Sequence, residues 1–429
     1  MGKKTILVLL AITMVLSAGF IACAKPAPTP TPEPGPAAFQ WPERLSLGAP
    51  GVGTGSYMVA GAWATELETT TGMTVRVVPE GGTVLRFRWL RNGIIDLFVD
   101  GIAISRHIEC YRPEQRVTDG GPFPMRMIMI GSLQAWGFVV RADGPIQTIH
   151  DINPQTKVAF FPPPSDMTFG LLNWLGLNKG PVQEDAKTGE WNVELVPYSG
   201  AAAWFKSVNE GKADIVCATA IAPPIIEQAA GPHGVRVLEL PYDEDPDGAE
   251  KLIDLFPVLM FGRAPEVGVK EMWGTKTIIL PQVIFSRADL PDDVAYNMVK
   301  WFDENYGRIK DKAPTLDQYS MDNLRKVLDM TTVPVHDGVI RYLKEKGMWT
   351  AADDARQEYN LRLLQAYTDA WEDALDQAMG QQIQVSPESE EFAALWSNLK
   401  KERQIPRYRA MIGDEKINEG LAQLDSLGF

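Results

Sequence analysis

Along residues 44–101, short apolar runs typical of strands alternate with stretches in which apolar residues recur at helical spacing. Short apolar runs at the start of this segment and around Val75 and Leu97 predict buried strands. Between them, residues 57–70 and 83–91 carry apolar side chains at helical spacing. The segment is therefore predicted to fold as strand, helix, strand, helix and strand, and the rest of the chain is organised around it.

Glycine-rich turns connect the first two predicted strands to their helices. The first turn spans Gly51–Tyr57 and offers Thr54 and Ser56 as helix caps, and the second contains Gly82 and Thr83. Glycine lets the backbone approach a ligand closely, and the exposed N–H groups of a helix start favour negative charge or hydrogen-bond acceptors. Because open α/β sheets bind ligands at the carboxyl ends of their strands, the two turns are predicted to lie side by side at a ligand site.

A similar pattern begins again after residue 143. A strand over residues 157–161 leads into a proline-rich turn and a helix, and a strand over 191–197 leads into a helix over 201–208. The sequence Gly-x-x-Asp ends the second helix in both halves, at Gly93–Asp96 and Gly211–Asp214. This spacing is common between a helix and a strand, but its recurrence in two similar units predicts two α/β lobes that face each other across a cleft.

The remaining elements define the predicted domain organisation. Two strands are expected at Met125–Ile130 and Trp136–Val140, the second leaving the first lobe, and a strand at Ile278–Phe285 returns to it. The tail is polar, mostly helical, broken near Val385, and expected to pack outside one lobe. The predicted boundaries are 41–140 for the first part of lobe 1, 141–277 for lobe 2, 278–350 for the return to lobe 1 and 351–429 for a helical extension.

The N-terminus predicts export. Two lysines precede an apolar run over residues 6–22, which Cys23 follows, as in a secretory signal, although the run is nearly long enough for a membrane span. Phe20–Cys23 resembles a lipobox, which predicts a lipoprotein-type signal over residues 1–23, cleaved before Cys23, and lipidation of that cysteine. Residues 24–40 are rich in proline and predict an extended tether. The body is expected in the periplasm or at the cell surface, anchored to a membrane.

Composition narrows the classes of partner. The chain of 429 residues is too long for one ordinary core. Its net charge of −14, with no basic stripe, argues against a nucleic-acid partner. Besides Cys23 only Cys110 and Cys217 remain. They could pair outside the cytoplasm, but Cys217 lies in an apolar strand, where a buried free thiol is the commoner arrangement.

An ordered series of segments between residues 45 and 349 resembles the solute receptors of TRAP transporters, in particular the TAXI branch. The final segment, Val335–Gly347, resembles the His-Pro-Gly motif and following Tyr-Tyr-Lys-Glu of that family. Four further segments match: the glycine loop that ends in Tyr57 and residues 78–83, 90–97 and 285–291. Residues 139–143 also match, together with the strand and the Pro-Pro-x-Ser turn that follow them.

The resemblance implies a type II periplasmic-binding fold and capture of a small solute for a TRAP permease. Solutes of the wider group are mostly carboxylates, including amino acids and dicarboxylic acids. The chain departs from the family pattern at Arg86, where asparagine is frequent, at Asp100-Gly101 and in the long extension. Because the first two departures touch the expected pocket, the ligand could be unusual for the family.

Predicted ligand contacts come from both lobes. Arg86 could grip a carboxylate through its two-pronged guanidinium, or be a surface charge one turn into its helix. Asp100 could bind a ligand amine, or be a solvated loop carboxylate. Closure of the lobes would bring Ser165 and Thr168 toward the first lobe. The full predicted set is Gly53, Thr54, Gly55, Ser56, Tyr57, Gly82, Thr83, Arg86, Asp100, Ser165, Thr168 and Tyr198.

Some conspicuous residues have structural alternatives. Trp136, Tyr198 and Trp204 could wall the cleft, although aromatic residues more often belong to a core. Asp166, beside Ser165, is expected to stabilise the first turn of its helix and to point away from an anionic ligand. His336 is predicted to be structural, because no metal-ligand partner lies at useful spacing.

Two other classes of protein fit parts of the pattern. An enzyme that uses a dinucleotide would explain the glycine loop and Glu80, but Ser56 stands where the dinucleotide fingerprint needs Gly or Ala. There is also no Walker motif, nucleophile elbow or zinc pair, so neither cofactor nor metal is expected. A receptor of the same fold could instead serve an ABC permease or a membrane sensor.

Overall fold

The computed structural model describes residues 39–80, 82–101, 121–160, 168, 171–172, 174–175, 182–183, 191–255, 260–386 and 389–429. The elements described below all lie within one compact unit, Trp41–Phe429. The predicted signal segment with Cys23, the tether up to residue 38, Cys110, Ser165 and Asp166 lie outside the described residues.

Lobe 1 begins with three parallel strands that alternate with two helices, as predicted. Strand β1 lies in the middle and pairs in parallel with both other strands, so the order across the sheet is β2-β1-β3. The elements are β1 (Arg44–Ala49), α1 (Gly55–Thr71), β2 (Thr74–Pro79), α2 (Thr83–Arg91) and β3 (Leu97–Gly101).

Lobe 2 repeats this arrangement. Its first three strands are parallel with the order β6-β5-β7, which is again second, first and third. The elements are β5 (Lys157–Phe160), β6 (Glu194–Pro197), α3 (Ala201–Lys206), β7 (Ile215–Thr219), α4 (Pro223–Ala229), β8 (Val235–Leu238), α5 (Pro246–Leu255) and β9 (Met260–Arg263). The repeated strand order explains why the sequence pattern of the first half recurs.

The two Gly-x-x-Asp motifs have the same role. Gly93 and Gly211 adopt positive φ angles of 66° and 68°, which favour glycine. The carboxylate of Asp96 then accepts from the amide of Ser46 at 2.7 Å, and that of Asp214 accepts from the amide of Lys157 at 2.8 Å. Each aspartate therefore ties the third strand of its lobe to the beginning of the first strand.

Two long strands connect the lobes. Strand β4 (Met125–Arg141) pairs with β7 and β8 through its second half, and β10 (Lys276–Arg287) pairs with β3 through its second half and with β9 through its first. The two strands also pair with each other along both lobes. The predicted fold class is thus confirmed: an α/β protein of two lobes around a cleft, with crossing strands, followed by a helical extension.

The prediction of separate strands at 125–130 and 136–140 was wrong, because β4 is continuous. Leu133 and Gln134, which lie between the two predicted strands, pair with Pro281 and Leu280 of β10. The polar residues Ser132 and Gln134 interrupt the apolar pattern there, yet both are buried. The predicted domain boundaries at 140/141 and 277/278 fall within β4 and β10, and they stay predictions.

The chain after β10 returns to lobe 1. Its helices are α6 (Asp292–Ile309), α7 (Met321–Val327) and α8 (Asp337–Glu345). His336 caps α8 by accepting from the amide of Gly338 at 3.2 Å through Nδ1, while Nε2 donates to the carbonyl of Leu290 at 2.9 Å. A side chain at Gly338 would overlap the carbonyl oxygen of Asp292. This His-x-Gly motif therefore locks α8 onto α6, which confirms the structural role predicted for His336.

The extension consists of α9 (Ala351–Gln381), α10 (Glu390–Glu402) and α11 (Asp414–Leu427), with the predicted break before α10. It has an aromatic core in which Trp371 packs edge-on against Trp396 and Tyr367 stacks on Tyr408. Asp353, only 1% exposed, binds Arg325 at 2.7 Å and joins the extension to α7 of lobe 1. Among the described helices, none combines the length and apolar character needed to cross a membrane.

Candidate ligand site at the start of helix α1

The first glycine turn is shaped by its own hydrogen bonds. Gly53 has a positive φ of 92°. Thr54 Oγ1 donates to the carbonyl of Gly51 at 2.8 Å and accepts from the amide of Tyr57 at 3.1 Å, which makes Thr54 the cap of α1. The turn thus presents the first residues of α1, Gly55 and Ser56, at the carboxyl end of β1.

The amides of Gly55 and Ser56 are the two groups of this helix start that a ligand can use. The first amides of a helix have no partner within the helix. Both residues are buried, and among the described residues no acceptor bonds either amide. The first turn also carries no acidic residue, so the positive end of the helix dipole is not neutralised there.

Strand β4 adds a polar side chain to this place. Gln134 Nε2 donates to Ser56 Oγ at 3.2 Å, although the two residues are 78 positions apart. Gln134 is only 4% exposed, and its Oε1 has no hydrogen-bond partner among the described residues. Sequence reasoning missed Gln134. The available signal was a polar residue in the middle of a strand that is otherwise largely apolar.

Residues of lobe 2 cover the same helix start. A Cβ atom placed on Gly53 would lie 3.1 Å from Cβ of Ala202, and one placed on Gly55 would lie 2.5 Å from Cγ1 of Ile221. We call this meeting of residues 53–56 with Ala202 and Ile221 the interlobe seam. Ala202 and Ile221 were not predicted, since small and aliphatic residues carry no recognisable sequence signal for such a role.

The second glycine turn has a different electrostatic character. Gly82, which precedes α2, donates its amide to the carboxylate of Glu80 at 3.0 Å. Arg86 donates to the carbonyl of Glu80, to Thr83 Oγ1 at 3.2 Å and to Asp100 Oδ2 at 2.5 Å. One guanidinium and two carboxylates therefore surround the start of α2, so an anionic ligand finds less favourable charge here than at α1.

Arg86 is not the solvent-facing charge that the sequence left open as an alternative, because it is only 2% exposed. Its ion pair with Asp100, which is 20% exposed, brings two predicted ligand residues together as partners of each other. Its guanidinium also lies 5.5 Å from the centre of the Phe98 ring. Direct contact of Arg86 or Asp100 with a ligand stays a prediction.

Two of the predicted ligand residues of lobe 2, Thr168 and Tyr198, are described, and each bonds another residue of lobe 2. Thr168 is fully buried and hydrogen-bonds the thiol of Cys217, whose pKa is raised by burial. Cys217 is a free, buried cysteine, as the sequence favoured. Tyr198 follows β6 and is half-buried, with its amide bonded to the carbonyl of Phe160 at 3.0 Å. Ser165 lies outside the described residues.

Trp204 belongs to the core of lobe 2. It is buried, donates from Nε1 to the carbonyl of Ala159 at 3.0 Å, and stacks on Phe205. Within the described residues, no group of three or more His, Cys, Asp or Glu side chains is placed to hold a metal ion.

Several solved structures resemble the chain at low identity. The periplasmic binding protein BugD is 14% identical, with a TM-score of 0.44, and the match covers 72% of this chain and 99% of BugD. MatC from Rhodopseudomonas palustris with bound malate is 14% identical, with a TM-score of 0.44 and coverage of 71% and 99%. The substrate-binding protein of an amino acid ABC transporter is 12% identical, with a TM-score of 0.36 and coverage of 63% and 98%.

Among curated proteins, no sequence match was found. The model of the NMT1-like family matches residues 47–347, which are over two thirds of the chain and include every described residue of the predicted ligand set. The match ends before α9, so the helical extension lies beyond the family region. The chain belongs to the NMT1-like family.

Proposed function

We propose that the protein is an extracytoplasmic solute receptor that binds a small carboxylate-bearing solute at the start of α1. The observation that carries this proposal is the pair of buried amides of Gly55 and Ser56, in a first turn without an acidic residue. A carboxylate placed there would receive hydrogen bonds from both amides and would complement the helix dipole.

Binding would be coupled to closure of the two lobes. Ala202 and Ile221 of lobe 2 lie against the glycines of the first turn, so this arrangement covers the helix start. A solute must enter when the lobes are apart, and its contacts with both lobes would shift the population toward the covered form. The long strands β4 and β10, which pass between the lobes, are the elements about which this movement would occur.

Arg86 would support the site and not grip the solute. Its guanidinium already binds Asp100, Thr83 and the carbonyl of Glu80, and it is buried. In this role Arg86 fixes the second turn beside the first, while Gly82 and Thr83 line the approach to α1. Thr54 would act as the cap that orients the two amides, and Tyr57, Tyr198 and Ser165 would flank the solute.

The proposed partner is a membrane permease of the TRAP type, and the protein would belong to the TAXI branch of its receptors. The support is the ordered series of sequence segments, which includes Val335–Gly347. The signal-like N-terminus and the lipobox at Cys23 support export and a lipid anchor, and the proline-rich tether would hold the receptor near the permease. Delivery to an ABC permease or a membrane sensor is the alternative. Binding without catalysis is proposed in each case.

A thermal-shift panel tests the proposed function. The purified protein is heated with amino acids, dicarboxylates, 2-oxo acids, aromatic acids or neutral sugars. A ligand that binds only the folded protein raises the melting temperature by mass action. We expect a rise that is confined to carboxylates. A rise with neutral sugars alone would contradict the anion site, and no rise in a protein that mass spectrometry shows to be free of retained ligand would contradict the receptor function for these classes.

A further inference from the structure

The buried oxygen of Gln134 is the feature of the site that the proposed carboxylate does not satisfy. Oε1 has no hydrogen-bond partner among the described residues, and the side chain is 4% exposed. An amide oxygen that is buried without a partner costs free energy, because it loses its hydrogen bonds to water. A carboxylate cannot relieve this cost, since it has no hydrogen to donate.

The position of Gln134 relates this oxygen to the α1 amides. Its Nε2 is held by Ser56 Oγ at 3.2 Å, and the amide of the same Ser56 is one of the two proposed carboxylate donors. The acceptor and the anion site therefore share one residue. A donor that reaches Oε1 from a carboxylate bound at Ser56 must sit close to that carboxylate in the solute.

We infer that Gln134 Oε1 accepts a hydrogen bond from a hydroxyl or amino group on the carbon beside the carboxylate of the solute. This inference rests on the proposed function and narrows its ligand to 2-hydroxy or 2-amino acids. Gln134 is then a specificity-determining residue: it discriminates against the same acid without the donor, because that acid leaves Oε1 unsatisfied.

The charges at the site favour the hydroxyl among these two donors. Gln134 is neutral, and the first turn of α1 has no acidic residue to compensate an ammonium group. An uncompensated buried ammonium is costly, whereas a hydroxyl satisfies Oε1 without adding a charge. Both donors would be accepted by the same oxygen, so the experiment contains an arm for each.

Calorimetric titration with matched acids tests the inference. The hydroxyl arm compares malate with succinate, and the amino arm compares aspartate with succinate and glutamate with glutarate. In the unmodified protein we expect the donor-bearing acid of at least one pair to bind about tenfold or more tightly than its counterpart, the effect of leaving a buried acceptor unsatisfied. This comparison does not depend on any variant.

Variants then assign the discrimination to Gln134. Gln134→Met has a similar length but no amide, and it should remove most of the preference for the donor-bearing acid. Gln228→Met is the matched control, because Gln228 is equally buried but donates to the carbonyls of Phe205 and Pro224 within lobe 2. The control should lower thermal stability and preserve the preference.

Three results would overturn the inference, and they are distinguishable. Equal binding of both acids in every pair would show that Oε1 does not face the donor, as would occur if the amide of Gln134 were turned with Nε2 toward the solute. An unchanged preference in Gln134→Met would assign the discrimination to another residue. In both cases the receptor function survives. Binding of none of these acids to the unmodified protein would overturn the inference, and it would also contradict the proposed carboxylate site if no other acid of the thermal-shift panel bound.

Discussion

Gly55 of lobe 1 lies directly against Ile221 of lobe 2. A Cβ atom on Gly55 would be 2.5 Å from Ile221 Cγ1 and 2.9 Å from the Ile221 carbonyl oxygen, and real Cβ contacts essentially never come that close. The first turn of α1 therefore needs glycine at this place for lobe 2 to cover it. The size of the side chain at residue 55 therefore limits how closely the two lobes can approach each other.

Replacing Gly55 with alanine should weaken ligand binding by opposing closure. The added methyl group cannot fit beside Ile221, and overpacking of this kind costs about 1–3 kcal/mol, which is a loss of affinity of about fivefold to about 150-fold. Calorimetry with the best acid from the thermal-shift panel measures the affinity. X-ray scattering with the same acid at saturation should show a more extended particle than the unmodified protein.

Gly61→Ala is the control for this variant. Gly61 lies in the same helix, and among the described residues no heavy atom outside its chain neighbours and the adjoining helix backbone lies within 4 Å of the place that a Cβ atom would take there. Alanine at this position should stabilise the helix by about 0.5–1 kcal/mol and leave the affinity unchanged. Equal affinity of Gly55→Ala and the unmodified protein would contradict the role of the interlobe seam in binding.

The ion pair of Arg86 and Asp100 should govern stability more than affinity. Arg86→Met leaves the partly buried carboxylate of Asp100 without its partner. Breaking a buried ion pair lowers the free energy of unfolding by about 3–5 kcal/mol. Because Asp100 is 20% exposed, we expect a value at the lower end of this range. Urea denaturation measures this loss. Calorimetry should show a change in ligand affinity well below the charged hydrogen-bond scale of about 2 kcal/mol.

Two further variants complete this test. Arg76→Met is the control, because Arg76 is an exposed residue of β2 and should change stability by about 0.5 kcal/mol or less. The double variant Arg86→Met with Asp100→Asn should lose less stability than the sum of the single losses. If Arg86→Met abolished binding while the free energy of unfolding stayed the same, Arg86 would contact the solute directly.

Protonation of His336 should make the protein less stable in mild acid. Burial lowers the pKa of His336 below its ordinary value of 6.5, although the Leu290 carbonyl and the carboxylates of Asp292 and Asp337 oppose this shift. The unfolded chain therefore takes up a proton at a higher pH than the folded chain does. Stability from this group is complete above pH 6.5 and falls as the pH drops below that value, until the folded histidine is also protonated.

Urea denaturation between about pH 5 and pH 8, around the ordinary histidine pKa, checks this prediction. His336→Asn keeps an oxygen that can cap α8 but removes the titrating ring, so the fall in stability toward low pH should become shallower. His150→Asn changes an exposed histidine in a separate turn and serves as the control. If stability depended on pH in the same way in His336→Asn and in the unmodified protein, His336 would not be the cause of the loss of stability in acid.

Asp353 should anchor the helical extension. It is 1% exposed and binds Arg325 and Arg356, each at 2.7 Å. Burial opposes its ionisation, but the hydrogen bonds from Arg325 and Thr350 prevail and lower the pKa of the carboxyl group. Asp353→Asn removes the buried carboxylate, although Asp329 still binds both guanidinium groups. The free energy of unfolding should therefore fall by about 3 kcal/mol, the lower end of the range for a broken buried ion pair.

The neighbouring residue provides the control for this prediction. Asp354 binds Lys344 and Trp349 at the surface, so Asp354→Asn should lose about 1 kcal/mol or less. Ligand affinity should be unchanged in both variants, because α9 contacts lobe 1 at α7 and Val335, away from the interlobe seam. Similar stability of the two variants would show that the buried cluster does not hold the extension.

Periodicity predicted most elements because each depends on neighbouring residues. The alternation of β1, α1, β2, α2 and β3 follows from local apolar spacing and glycine turns, and the two aspartates of the Gly-x-x-Asp motifs follow from the same turns. The continuity of β4 was missed, since Ser132 and Gln134 interrupt its apolar pattern and only pairing with β10 shows that the strand continues.

The site itself was predicted only in part, because its contacts join distant segments. The cap at Thr54 and the start of α1 are local features and were recognised. The bond from Gln134 to Ser56 and the contact of Gly55 with Ile221 depend on how the lobes meet, which no local pattern encodes. Arg86 was singled out because a guanidinium can bind a carboxylate. Its burial and its pairing with Asp100 were not predicted, because they depend on the packing of α2 against β3.

The proposed carboxylate site at the start of α1 is best examined by hydrogen–deuterium exchange with a saturating carboxylate, because this method reports on the amides that would hold the solute. We expect slower exchange in peptides that contain residues 53–57 and 219–222, with no change in α11. The start of α2 at residues 82–86 provides an internal comparison and should be protected less. Protection that is strongest at residues 82–86, with none at 53–57, would contradict a carboxylate site at the start of α1.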